Sequence, residues 1–341
     1  MTSAAPNATA TGAVTSLLDH VRPLDAGAHV TGAAFAGDMA MLALGDGCVL
    51  LCDAAGERRV DVHPGGAVLA AVGAGDQFVT GGDDGRVVVT HVNGETRAIS
   101  DEKGRWIDAV AASGGAIAWS CGKQVAARDA KGNVRRMEAP SSVRGIAFAP
   151  KGYRLGLAHY NGASLWFPNT DAAPEALFWK GSHLDASFSP DGRFFITSMQ
   201  ENMLHGWRLA DKKDMRMSGY PAKPRSLSWS NDGLWMASSG ADAAIIWPFE
   251  AKDGPMGKAP RECGVRPAKV TQVAFHPRAL IIAIGYDDGA VMLVRLTDNS
   301  ELMARMPAPG GPVTAMAWDA KGKRMVFGTA DGAGGLLTLP V

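Results

Sequence analysis

One phrase recurs along this chain. It reads Phe148-Ala-Pro-Lys-Gly152, Phe188-Ser-Pro-Asp-Gly192 and Trp229-Ser-Asn-Asp-Gly233, with looser copies at Phe275-His-Pro-Arg-Ala279, Trp318-Asp-Ala-Lys-Gly322 and Phe35-Ala-Gly-Asp38. An aromatic residue that closes an apolar run, then a Pro/Asp/Gly cluster and a second apolar run, describes two β-strands joined by a short turn. The runs leading into these phrases start near Val30, Val68, Ile107, Val143, His183, Pro224, Val270 and Val313, at intervals of 36 to 46 residues. Such spacing means that one supersecondary unit was copied along the chain.

The unit is β. No sustained stretch carries apolar residues at i, i+3, i+4 and i+7, which excludes the helical repeats. In the fifth unit, 183–188, 193–198, 203–207 and 214–217 read as four successive strands. Asp46-Gly47, Asp84-Gly85, Asn161-Gly162 and Asp288-Gly289 mark tight hairpins between second and third strands. A four-stranded meander at this period is the blade of a β-propeller. The eighth unit stops after three strands, and Ser16 to Leu24 precedes the first unit without a sheet of its own. That stretch is expected to supply the missing strand, because closing the ring removes an exposed sheet edge. The expectation is an all-β chain with a short disordered tail over 1–13 and one closed propeller over 14–341. The starts count eight blades; weak patterning around 68–74 and 107–113 keeps seven as the alternative.

Several classes of function are disfavoured by composition. With 34 basic and 34 acidic residues the chain has no net charge and hence no general attraction for phosphate backbones, so no nucleic-acid partner is expected. The short groups Lys212-Lys213 and Arg135-Arg136 read as solvated outer strands or turns. No apolar run approaches the ~20 residues that cross a bilayer, and the start of the chain lacks a signal peptide's basic and apolar regions. A cytoplasmic monomer without membrane attachment is expected. Four cysteines, Cys48, Cys52, Cys121 and Cys263, show no disulfide framework.

The aromatic-Ser-Pro-Asp-Gly phrase, the Asp-Gly turn and the tryptophans Trp166, Trp207 and Trp247 near the ends of third strands resemble the WD-repeat (WD40) β-propeller family, over residues 14 to 341. The chain resembles a degenerate member of bacterial type. Asp53 and Asp129 keep the aspartate of the family pair while Cys52 and Arg128 replace its tryptophan, and no third strand ends in Trp-Asp. The family's Gly-His pair before the first strand is absent. What the resemblance implies is a buried hydrogen-bond network of that histidine, a second-strand Ser or Thr, the turn Asp and the Trp. Here that network is expected to be incomplete and offset by apolar packing. Small residues in first strands, such as Gly32, Ala70, Ala109 and Gly145, suit inner strands that converge on an axis.

No catalytic motif stands out. There is no His-Glu-x-x-His, no phosphate loop with Lys and no Gly-x-Ser-x-Gly. Gly73-Ala-Gly75 reads as a hairpin turn. Cys48 and Cys52 lie four residues apart on one strand, roughly 13 Å, which is too far for a shared zinc or a disulfide. His63 and His91 read as isolated surface or packing residues. The pairs Asp83-Asp84 and Asp287-Asp288 offer too few oxygens for calcium. No cofactor is expected, and no metal.

The starts of first strands and the residues before the second-to-third-strand turns should share one face. Candidates there are His29, Trp106, Asp108, Arg144, His183, Arg225 and Lys269 from the starts, with Asp83, Tyr160, Gln200 and Asp287 from the turns. Trp, Tyr and Arg dominate binding hot spots, which favours Trp106, Tyr160, Arg144 and Arg225. The expected function is a noncatalytic scaffold for an unidentified protein partner. The alternatives are a small-ligand or metal-dependent enzyme at the channel mouth, where inner strands offer only Asp108 and Asp185, or an accessory factor in metal homeostasis.

Overall fold

The structure is a computed structural model and describes residues 16–340; the expected tail over 1–13 lies outside them. Among the described residues, a 3-10 turn, Leu18–His20, and thirty strands make up the regular structure. Each repeat unit runs antiparallel from its first strand to its fourth, as in Val30–Ala36, Met39–Leu44, Cys48–Cys52 and Glu57–Asp61. Units two and three, weakly patterned in sequence, form complete four-stranded sheets at Val68–Ala74 to Thr96–Asp101 and Ala109–Ser113 to Val134–Glu138. The molecule is a single β-propeller of four-stranded blades.

Burial explains the pattern. Second and third strands such as Met39–Leu44 and Cys48–Cys52 are almost wholly buried, because blades cover both of their faces, and they read as continuous apolar runs. Fourth strands such as Glu57–Asp61 and Val134–Glu138 are mostly exposed and carry the charges, which blunts the outer edge against pairing. Eight apolar layers join consecutive repeat units. One links Met41 and Val49 to Phe78 and Val88, and another links Phe194 and Met215 to Met236 and Trp247. A further layer brings Val30, Leu42 and Leu44 of the first unit against Val326 and Leu336 of the last, so first and last units meet.

The last sheet is completed from the other end of the chain. Val21–Asp25 pairs with Ala333–Thr338, Val21 opposite Leu337 and Asp25 opposite Ala333. Just before it, the Leu17 N–H donates to the Met303 carbonyl at 2.9 Å, which fastens the approach to the seventh unit.

Hydrogen bonding gathers the strands into seven sheets, where the repeat count led to an expectation of eight. Six sheets have four strands, and the seventh has six. That sheet spans the fourth and fifth units through two long strands, Leu155–Trp166 and Glu175–Phe188. The cause is local: the turn at Asn161 (φ 64°) and Gly162 (φ 135°) and the crossing at Gly181 (φ 129°) are so tight that strand geometry continues through them.

The recurrent phrase is a turn locked by its own side chains. Ser189 Oγ donates to Asp191 Oδ1 at 2.6 Å and accepts the Phe194 N–H at 2.9 Å, and Ser230 does the same with Asp232 and Trp235. Close approach of inner strands accounts for the small residues there. Gly73 lies in a first strand, not in the turn expected of it, and a Cβ at that position would sit 2.2 Å from the Phe35 carbonyl oxygen. At Gly145 a Cβ would meet the Leu184 carbonyl at 2.6 Å.

Candidate functional site

First-strand starts and second-to-third-strand turns are tied together at one end of each blade. Asp83 accepts the Ala67 N–H at 2.7 Å, Asp287 accepts the Lys269 N–H at 2.9 Å, and Ser239 Oγ accepts the N–H groups of Arg225 and Ser226 at 3.1 Å. In the third unit the direction reverses, and Asp108 at the start accepts the Gly122 N–H at 2.7 Å. Asp83, half-buried, and Asp287, exposed, are thus committed to closing their own blades.

The remaining candidates fall into two groups. His29, Arg225 and Lys269 line one recess of about 570 Å³ together with Thr31, Lys223 and Thr314. Its wall is built from the starts of the first, sixth, seventh and eighth units. His29 Nδ1 lies 3.0 Å from the Ala330 carbonyl oxygen, and Arg225 Nε donates to Asp185 Oδ2 at 3.2 Å. Gln200 is exposed at the rim and accepts from Lys223 Nζ at 3.2 Å.

Trp106 and Asp108 share a separate hollow of about 410 Å³ with Arg105, Lys123 and Glu138. Trp106 is 63% exposed. Arg144, itself exposed, reaches Asp108 at 3.8 Å. Tyr160, 56% exposed, stands at the hairpin tip of the fourth unit, where its N–H donates to Ser141 Oγ.

His183 does not belong to this face. It is 1% exposed, its Nδ1 lies 2.7 Å from Thr197 Oγ1 and its Nε2 lies 3.1 Å from the Trp179 carbonyl oxygen. It sits inside an aromatic cluster with Trp207 and His205. Alternation along a strand puts every second residue inside, and the reading by strand start misjudged the phase because a register shift intervenes between His183 and Ala186.

The polar network is more complete than the sequence implied. His63, expected to be isolated, is fully buried and bridges Asp84 Oδ1 and Thr80 Oγ1, both at 2.9 Å. Burial lowers its pKa, while Asp84 pulls the other way. Elsewhere other residues fill the role. In the sixth unit Tyr220 joins Trp247 to Ser238 at 2.6 Å each, and burial pushes its pKa up to about 12. In the third, the buried Glu102 accepts from Trp119 Nε1 at 2.9 Å and from both terminal nitrogens of Arg136. Burial works to raise the pKa of Glu102, but the bonds from Arg136, Trp119 and Ser100 outweigh it and hold the value at about 2. Arg136 therefore anchors a blade and is not simply a solvated charge. Substituted polar partners fill the gaps, where apolar packing was expected to do so.

Lys223, Thr31, Tyr220 and Glu102 escaped the sequence reading. A signal existed for the threonines: Val30-Thr31, Val270-Thr271 and Val313-Thr314 repeat one dipeptide at one blade position. Among the described residues no three His, Cys, Asp or Glu side chains are grouped so as to hold a metal ion, and no helix is long and apolar enough to cross a membrane.

Comparison with known proteins places this geometry. Residues 273–339 match the family description of the anaphase-promoting complex subunit 4 WD40 domain. Among solved structures, the computationally designed Ika8 protein aligns with a TM-score of 0.76 at 17% identity, covering 92% of this chain and 98% of that one. At that identity the likeness concerns the fold alone. No curated protein matches the chain.

Proposed function

We propose that this β-propeller, whose residues 273–339 match a WD40 family description, is a noncatalytic WD40-type scaffold that binds protein partners through the face where its first strands begin. Propellers of this type generally serve protein interaction. The observation that carries the reading is Trp106, 63% exposed at the start of the third unit next to Asp108 and its ion-pair partner Arg144. A large aromatic side chain left in water on a rigid frame, beside an arginine, has the composition of a binding hot spot. The buried polar groups behind it are committed to the blades, so the frame is preorganised and little ordering entropy opposes binding. The protein acts in this reading as a cytoplasmic monomer.

The test is affinity capture with the wild-type protein and with Trp106→Ala/Arg144→Ala. Both side chains are exposed, so melting behaviour should stay the same while capture of the partner is lost. Undiminished capture by the double variant would sink the proposal.

We also read the ring as eightfold. Each long strand of the six-stranded sheet bonds to different neighbours along its two halves: in Leu155–Trp166, residues 155–158 pair with Gly145–Phe148 and residues 160–165 with Glu175–Phe188. Counting each half separately leaves four strands for each of eight units, in keeping with eight apolar layers. An experimental structure with sevenfold repetition of the ring would overturn this reading.

A further inference from the structure

The chain as a whole is neutral, yet the 570 Å³ recess is lined by Lys223, Arg225 and Lys269 and by no Asp or Glu. Two neighbouring carboxylates are already engaged. Asp185 pairs with Arg225 at 3.2 Å, and Asp287 accepts the backbone N–H of Lys269. Lys223 makes its hydrogen bond to a neutral amide, that of Gln200, which leaves its charge uncompensated. All three cations are exposed.

The wall between them is polar by construction. Thr31, Thr271 and Thr314 each fall at a register shift, between Val30 and Gly32, Val270 and Gln272, and Val313 and Ala315. Such bulges re-aim a side chain and concentrate near functional sites. Thr271 Oγ1 donates to the Val313 carbonyl at 2.7 Å and Thr314 Oγ1 to the Gly328 carbonyl at 3.3 Å. Thr31 Oγ1, at the equivalent position, is buried without a partner. An orphan hydroxyl of this kind is uncommon, and this one belongs to a residue that lines the basic recess.

We propose that this recess receives the carboxylates of an acidic polypeptide segment; the proposal rests on the reading of this face as a protein-binding surface. The cations come from two units, Lys223 and Arg225 from the start of the sixth and Lys269 from the start of the seventh, and two of the three are lysine point charges, while the planar fork of Arg225 is engaged by Asp185. That arrangement suits several carboxylates spread along an extended chain better than one compact anion, which a free arginine fork would clasp. Local positive potential also raises the rate at which an acidic partner is captured.

The experiment is fluorescence anisotropy with labelled octaglutamate at low and at high salt. The wild-type protein should bind, more weakly as salt rises, and Lys223→Ala/Lys269→Ala should raise Kd about tenfold or more, roughly 1.4 kcal/mol, with an unchanged melting curve. Trp106→Ala should bind the peptide as the wild type does. Absence of binding, equal binding by the lysine variant, or displacement by equimolar inorganic phosphate would overturn the proposal, the last marking a small-anion site. If octaglutamate fails while capture still depends on Trp106 and Arg144, only the acidic segment is wrong. If capture is indifferent to Trp106 and Arg144 while octaglutamate binds, the wider reading of the face fails instead.

Discussion

Trp247 donates its indole N–H to the Tyr220 hydroxyl at 2.6 Å, and the same hydroxyl lies 2.6 Å from Ser238 Oγ. Tyr220 is almost fully buried and comes from the loop that leads into the sixth unit. It joins a third-strand residue to a second-strand residue, whereas in the second unit His63 joins the turn residue Asp84 to second-strand Thr80. Polar cross-bracing thus survives in this chain with its residue types exchanged blade by blade.

Removing only the Tyr220 hydroxyl tests that bracing. Tyr220→Phe keeps the ring but leaves Trp247 Nε1 without its partner and Ser238 with only its long bond to Ile245. The expected loss is about 1–3 kcal/mol, a fall in Tm of several degrees by calorimetry. A change within experimental error would mean that the bracing is decorative.

Acid should loosen the fold through its buried histidines. Burial lowers the pKa of His63, His159, His183 and His205 from the ordinary 6.5, and His205, with neither ring nitrogen bonded, drops to about 3. Below 6.5 the unfolded chain takes up protons that the folded state refuses. Stability is therefore full above pH 6.5 and declines as pH falls below it, for His205 down to about 3 and by up to ~1.4 kcal/mol per pH unit, with the other three adding in the same direction. Glu102, held at about 2 against an ordinary 4.5, adds its own loss only between those values. Urea unfolding at pH 7 and pH 5 should show the decline, and His205→Phe should reduce its slope; a flat profile would contradict the assignment.

Inner-strand contact should be intolerant of a single methyl group. Gly73→Ala places Cβ 2.2 Å from the Phe35 carbonyl oxygen, a backbone atom that cannot swing aside. We expect a destabilisation of about 1–3 kcal/mol, whereas Gly75→Ala, whose Cβ would meet nothing within 4 Å, costs only the strain of its φ of 71°. Equal melting points for the two variants would refute the packing argument.

Much of the frame was legible because it depends on local order. Alternation, turn residues and the period are properties of short segments, so Phe188 to Gly192 announces its hairpin wherever the chain is read. The completion of the last blade was legible too, since three strands without a fourth leave an edge that Val21–Asp25 can cover. The merging of units four and five into one sheet was not. It depends on how tightly Asn161 and Gly181 turn, which residue identity alone leaves open.

The site divides along the same line. Sequence determined which residue types stand at blade starts and turns, and therefore that Trp106, Arg144, Arg225 and Lys269 lie at one end of the ring. Tertiary structure decided which of them meet. It separated Trp106 from the lysines, sank His183 into an aromatic cluster, turned Asp83 and Asp287 to their own backbones, and joined Lys223 to Lys269 and Thr31 across units far apart in the chain. The physical reason is that a recess is made by several blades at once. Each repeat specifies its own hydrogen bonds, whereas the potential in that recess is a sum over side chains that only the meeting of several blades brings together.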